Sequence, residues 1–220
     1  MTKQQFMVRK ARLYALNRKL KQLFPGAHIA LNYKTPWELL VAVELSAQCT
    51  DKMVNRITER LFKKYKTLDA YVRAKPETFA QDIRSAGYYR AKTKNILAAA
   101  KLLKERYRGK LPATMPELLR FPGVARKTAN VVLGNAFGVV EGIAVDTHVL
   151  RFVRRYDLSD YRDPVRIEKD LMELLPKKEW FPFTYRVIEY GRTIAPARPY
   201  DTNKDPLLKL YPPAAKRFRI

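Results

Sequence analysis

The sequence predicts an all-α protein, on three observations. Apolar residues recur at helical spacing along nearly the whole chain. Capping signatures, often with proline just inside them, stand ahead of several of these stretches. No run of alternating apolar and polar residues reads as a strand.

In chain order, Leu13, Leu16, Leu20 and Leu23 form the apolar stripe of a first helix. The first 37 residues contain no Asp or Glu, as in a transit peptide, but they lack the continuous apolar core of a secretory signal. The segment is read as an ordinary basic amphipathic helix. Thr35-Pro36-Trp37-Glu38 opens the next: Thr can cap, Pro suits the first helical position and Glu can close a capping box. The run Leu39 to Leu45 then predicts a helix buried on most sides. Thr50 or Asp51 can cap a third, carrying Met53, Val54, Ile57 and Leu61. Pro76 starts another, Gly87 breaks the pattern before Tyr88-Tyr89, and a further helix carries Ile96, Leu97, Ala100 and Leu103.

Thr114-Met115-Pro116-Glu117 is a second capping box, and its short helix is expected to end at Phe121-Pro122-Gly123. A new helix should begin near Val124 and run through Val131, Val132 and Leu133. Asp146 is positioned to cap a helix with Val149, Leu150 and Val153, and Asp163-Pro164 opens one with Ile167, Leu171 and Leu174. Glu179 to Tyr190 is the last long helix; the Pro- and Tyr-rich tail after Gly191 reads as an ordered but irregular wrap. There is no long internal repeat and no Gly/Ser linker.

Lys and Arg number 44 against 21 Asp and Glu, a net charge of +23 over 220 residues. Such an excess favours a polyanion: DNA, RNA or an acidic membrane surface. A merely basic surface is the plainer alternative. No apolar stretch approaches the ~20 residues of a membrane span. Cys49 is the sole cysteine, so an intramolecular disulfide and a thiolate-bound metal cluster held by this chain are both excluded. His28 and His148 are too few for a His-rich site.

The most informative stretch is Leu119-Arg120-Phe121-Pro122-Gly123-Val124-Ala125-Arg126-Lys127-Thr128-Ala129. A short helix, a tight turn and a second helix make a hairpin. Glycine permits the turn and a close backbone approach. The second helix presents N–H groups and a positive dipole end at its start, which suits a phosphate regardless of base identity. Pro-Gly between helices is common and by itself is structural.

The stretch resembles the hairpin of the endonuclease III family, Leu-Pro-Gly-Val-Gly-Arg-Lys-Thr-Ala, with Phe121 at the first position and Ala125 at the second glycine. Ala125 adds a methyl group near the expected backbone contact. Leu45-Ser46-Ala47-Gln48-Cys49-Thr50-Asp51 resembles the family's Leu-Ser-Ala-Gln-Ala-Thr-Asp. Gly87-Tyr88-Tyr89-Arg90-Ala91-Lys92 resembles its Gly-Leu/Phe-Tyr-x-x-Lys loop, and Val145-Asp146-Thr147-His148 its Val-Asp-Thr-His segment. The resemblance covers most of the chain, in order.

It implies two helical domains with a DNA cleft between them, one over residues 29–140 and one made of 1–28 plus 141–220, with Lys127 and Asp146 at the mouth of the cleft. It implies a bifunctional DNA glycosylase/AP lyase that excises oxidised pyrimidines and cleaves the abasic strand by β-elimination. Lys127 would be the nucleophile. An ordinary lysine is protonated at neutral pH, but a helix N-terminus beside Arg126, with partial burial, disfavours the charged form. Asp146, a plain cap on its position, would also stabilise positive charge on the sugar. Gly123, Val124, Ala125 and Arg126 would hold phosphate. Base flipping costs a few kcal/mol; Gln48 would fill the vacated stack and Tyr88 would wedge the other strand, where the plainer readings are a helix-end polar residue and a core aromatic. His148 would contact phosphate or serve structure.

Most relatives in that family carry four C-terminal cysteines holding an iron–sulfur cluster. The region from Gly191 has none, so no cofactor is expected. Tyr200, Leu207, Leu208, Leu210 and Tyr211 are expected to pack back instead, and Arg192, Arg198, Lys204 and Lys209 to face phosphate. The expected partner is double-stranded DNA with damaged bases or abasic sites, bound by a monomer in the cytoplasm or nucleoid, with no membrane. Two rivals stand: a relative specific for 8-oxoguanine, and a non-catalytic hairpin module. Retention of both Lys127 and Asp146 argues against the module.

Overall fold

A computed structural model describes residues 2–217. Among the described residues the regular structure is helical throughout. The chain divides into two compact units, Ala30–Glu141 and Met1–Ile29 with Gly142–Ile220.

The central unit holds α2 (Pro36–Ser46), α3 (Asp51–Lys64), α4 (Leu68–Val72), α5 (Pro76–Asp82), α6 (Tyr89–Tyr107), α7 (Met115–Leu118) and α8 (Arg126–Phe137). α2 is its axis and packs against α3, α6 and α8. Every residue from Leu39 to Leu45 is buried, which accounts for the missing polar face. Burying each such leucine stabilises the fold by roughly 1.5–3 kcal/mol. One member of that run, Glu44, is an acid.

The two anticipated capping boxes form differently. The Thr35 hydroxyl accepts from the Glu38 N–H at 3.1 Å, while the Glu38 carboxylate accepts from the Lys34 N–H at 2.6 Å, one residue earlier than a standard box. Thr114 makes no cap bond; its hydroxyl donates to the Glu117 carboxylate at 2.7 Å. The short α4 spans little more than one turn, and its sequence signal is the capping Thr67, whose hydroxyl accepts from the Ala70 N–H at 3.2 Å.

The terminal unit holds α1 (Lys3–Leu23), α9 (Thr147–Arg155), α10 (Pro164–Leu174), α11 (Lys177–Thr193) and two 3-10 turns, Thr202–Lys204 and Pro212–Lys216. Its core joins Leu13, Leu16 and Leu20 of α1 to Val149, Phe152 and Val153 of α9, Ile167, Leu171 and Leu174 of α10, and Phe183 and Val187 of α11. The first helix is therefore part of a core. Buried Arg9 ties it to Asp157 and Asp160.

The tail is held by a buried carboxylate. Asp205 is 1% exposed and accepts hydrogen bonds from the Tyr190 and Tyr200 hydroxyls, each at 2.5 Å, and from the Leu207 N–H at 3.0 Å. The Arg155 guanidinium lies 3.8 Å away. Burial, then Tyr156 and Asp205, push the Tyr190 hydroxyl far above its ordinary range, so it stays a donor. Leu207 and Leu208 bury as expected, and Tyr200 and Tyr211 are half-buried. Leu210 does not pack back: it is 43% exposed, at the end of the turn between the two 3-10 segments.

Candidate nucleic-acid interface and catalytic residues

α7 ends at Leu118, and the turn runs through Ala125 before α8 starts at Arg126, two residues later than the sequence suggested. Val124 is buried, and its N–H is already bonded to the Phe121 carbonyl at 3.1 Å. It shapes the turn, with that N–H engaged inside it. Gly123 has φ +82°, and a Cβ there would lie 2.7 Å from Asn95 Nδ2 and 3.0 Å from Glu44 Oε2. Glycine is thus required for both backbone conformation and space. Ala125 is exposed with φ −93°, so its methyl group costs nothing in conformation. As N-cap it offers no acceptor, leaving the first turn of α8 without a side-chain cap. An uncapped helix start with its positive dipole end suits an anion. Arg126 and half-buried Lys127 occupy the first two positions of that turn.

The Gln48 and Tyr88 loops meet at the same pole. Both residues are left-handed, with φ +52° and +58°. For non-glycine residues this costs roughly 1–2 kcal/mol each. A Cβ on Gly87 would lie 3.0 Å from the Gln48 carbonyl oxygen, so the loops abut. Gln48 is exposed, and Tyr88 is 67% exposed, which rules out the core-aromatic role weighed from sequence.

Two residues that sequence reasoning gave no role brace this pole. Lys92 is 5% exposed and donates through Nζ to the Leu45 carbonyl at 2.8 Å and the Ala47 carbonyl at 2.6 Å. It satisfies carbonyls at the end of α2, where the helix dipole favours a cation. Burial lowers its affinity for a proton, and neighbouring Cys49 and Glu44 oppose that. Glu44 lies beneath Gly123, and its Oε1 is buried with no hydrogen-bond partner among the described residues. Desolvation pushes its pKa up to about 8 against the pull of Lys92. The available signal was a lone acid inside an apolar run.

In the terminal unit, Asp146 caps α9: Oδ1 accepts from the Val149 N–H at 2.9 Å, as anticipated. His148, two residues on, is half-buried and lies against Arg151. Arg192, Arg198, Lys204 and Lys209 are exposed, with Arg192 beside Glu189 and Lys204 beside Asp201.

The residues present do not fit an iron–sulfur cluster. Such a cluster takes several thiolates, and the only cysteine, Cys49, follows α2 in the central unit. Among the described residues no group of three or more His, Cys, Asp or Glu side chains is placed to hold a metal ion. The tail is organised around Asp205 instead.

An uncapped hairpin helix, a glycine-dependent turn and two exposed left-handed loops at one pole define a helix-hairpin-helix protein built to meet DNA. Residues 41–177 match the HhH-GPD superfamily of base excision DNA repair proteins. The chain is 48% identical to the endonuclease III of Synechocystis sp. over 179 residues, 81% of this chain and 82% of that protein. It is 45% identical to the endonuclease III of Bacillus subtilis over 200 residues, 90% and 91% of the two chains. A solved non-covalent endonuclease III–DNA complex superposes with a TM-score of 0.90 at 43% identity, covering 96% of this chain and 99% of that one. A trapped covalent endonuclease III–DNA intermediate matches equally well. The chain belongs to the HhH-GPD superfamily and, within it, to the endonuclease III family.

Proposed function

We propose that the protein is a bifunctional DNA glycosylase/AP lyase of base excision repair, acting on oxidised pyrimidines in double-stranded DNA. The observation that carries this reading is Lys127 in the first turn of α8, directly after the hairpin, in a chain that also keeps Asp146 as the cap of α9. The covalent DNA intermediate of a 43% identical endonuclease III supports a covalent route.

The Lys127 amine, in its neutral form, attacks the sugar C1′. A C–N bond forms to Lys127, the glycosidic C–N bond breaks, and the base leaves with a proton. Ring opening gives the Schiff base. Loss of a C2′ proton then expels the 3′ phosphate by β-elimination. Asp146, held by its cap bond, stabilises positive charge on the sugar and assists proton transfer. Gln48 fills the gap left by the flipped base and Tyr88 wedges the opposite strand; their exposure supports these roles. Gly123, Ala125 and Arg126 hold phosphate, and His148 adds a contact.

The reaction runs without a metal or cofactor, and the protein works as a monomer in the cytoplasm or nucleoid. Among the described residues no helix is long and apolar enough to cross a membrane.

Borohydride trapping on a duplex with one thymine glycol tests this, with an 8-oxoguanine duplex and Lys127→Ala in parallel. A trapped parent band that vanishes in Lys127→Ala is the expected result. Base release without trapping would demote Lys127 in favour of water. Trapping only on 8-oxoguanine would move the lesion class. Lys127→Ala indistinguishable from the parent in every assay would point to a binding module.

A further inference from the structure

One buried residue bonds to both of the exposed left-handed loops. In the first turn of α6 the Lys92 N–H donates to the Tyr88 carbonyl at 3.1 Å. The Lys92 Nζ donates to the Ala47 carbonyl at 2.6 Å and to the Leu45 carbonyl at 2.8 Å. The first bond is one that any helical residue makes; the other two need a long side chain with a donor at its tip. Ala47 is where α2 stops: at φ −58° and ψ 115° it leaves the helix, and Gln48 follows at φ +52°. The Cys49 N–H closes back onto the Ser46 carbonyl at 3.1 Å. Thr50 then caps α3, its hydroxyl accepting from the Met53 N–H at 3.4 Å. Gly87, before Tyr88, sits so close that a Cβ on it would come 3.0 Å from the Gln48 carbonyl oxygen. The link from α2 to α3 is thus short, pinned at both ends and pressed against the Tyr88 loop.

We propose that Lys92 is a positioning residue for the recognition of a vacated base position: its side chain fixes the Gln48 turn relative to Tyr88 before DNA arrives. A non-glycine residue seldom holds a left-handed backbone unless its surroundings impose it. Without the two Nζ bonds the Gln48 turn spends part of its time in other conformations, and affinity falls by the fraction of molecules still in the competent one. That Gln48 and Tyr88 meet the DNA stack rests on the proposed function; the bonding of Lys92 does not. The benefit is confined to DNA with a gap to fill. Phosphate contacts form on any duplex and carry no such requirement.

Two fluorescence-anisotropy titrations, against an undamaged duplex and against one with a tetrahydrofuran abasic analogue, give a discrimination ratio. Lys92→Met keeps the apolar stem and removes both Nζ bonds. It should lower the ratio by about tenfold and change affinity for the undamaged duplex by less than about twofold. In Gln48→Gly the gap-filling side chain is gone, and glycine takes φ +52° freely. Adding Lys92→Met to Gln48→Gly should then lower the ratio by much less than in the parent. Melting temperatures of all variants accompany the titrations. Gly87→Ala approaches the same turn with Lys92 intact. Its methyl group, 3.0 Å from the Gln48 carbonyl oxygen, should displace the turn and lower the ratio in the same direction.

Equal loss on both duplexes in Lys92→Met overturns the proposal, because it marks a residue that serves only the fold. So does a full tenfold loss in the Gln48→Gly background, which would mean that Lys92 acts by a route other than Gln48. If Lys92→Met does not fold, Gly87→Ala decides: a reduced ratio upholds a preset Gln48 turn, and a parental ratio overturns it. Failure of borohydride trapping alongside a selective, non-additive loss would overturn the catalytic reading and leave this one standing.

Discussion

Replacing Glu44 with glutamine perturbs the floor of the hairpin without changing its shape. In the folded protein the Glu44 carboxyl is buried, its Oε1 has no hydrogen-bond partner among the described residues, and its pKa stands at about 8 against an ordinary 4.5. Between those values the unfolded chain has released this proton and the folded protein still holds it. Stability contributed by the neutral carboxyl is therefore complete below pH 4.5, falls as pH rises to about 8, and is flat above. At about 1.4 kcal/mol per pH unit, the loss reaches about 4 kcal/mol by pH 8. Glu44→Gln removes the titration. Any cost of seating the amide is the same at every pH, and Lys92 is present in both proteins, so its own slope cancels to first order. The melting-temperature difference between variant and parent should thus grow in favour of the variant from pH 5 to pH 8. At 2–4 °C per kcal/mol for a chain of this size, the growth is about 8–16 °C. Thermal melts followed by circular dichroism at several pH values measure it. Parallel curves for the two proteins would refute the buried-carboxyl reasoning.

Asp205→Ala removes the acceptor of two tyrosine hydroxyls and a carboxylate 3.8 Å from the Arg155 guanidinium, and should cost about 3–5 kcal/mol, or about 10 °C in melting temperature. A loss below about 1 kcal/mol would mean that apolar packing alone holds the tail. Gly123→Ala places a methyl group 2.7 Å from Asn95 Nδ2 at φ +82°, so it should destabilise by at least about 1–2 kcal/mol and weaken DNA binding. Parental melting and affinity would show that the turn is more tolerant than drawn. Affinity for duplex DNA should fall by roughly three to five orders of magnitude between 50 and 200 mM salt if 6–10 phosphates are neutralised. A salt-insensitive titration would contradict the cationic surface.

The sequence by itself determined the helical class, most helix starts and the hairpin, because these rest on local signals. Proline at a first helical position, a capping Asp146 and leucines at one spacing act within a turn or two of chain. Boundaries were legible only approximately: α8 starts at Arg126 because the Val124 N–H bonds back to Phe121, a turn detail that no residue type announces. Exposure was not legible, since a tyrosine after glycine reads equally as core or wedge; the left-handed backbone at Tyr88, beside the Gln48 loop, decides it. Partners far apart in sequence were decided only by the tertiary structure: Lys92 on the end of α2, Glu44 under Gly123, and Gly191 making room for the ring of His148. These depend on which side chains packing removes from water, and desolvation is set by three-dimensional neighbours rather than by chain order. The same holds for the tail. The sequence dictated that cysteines would not organise it, and only the fold selected Asp205, by burying one carboxylate where two tyrosines could reach it.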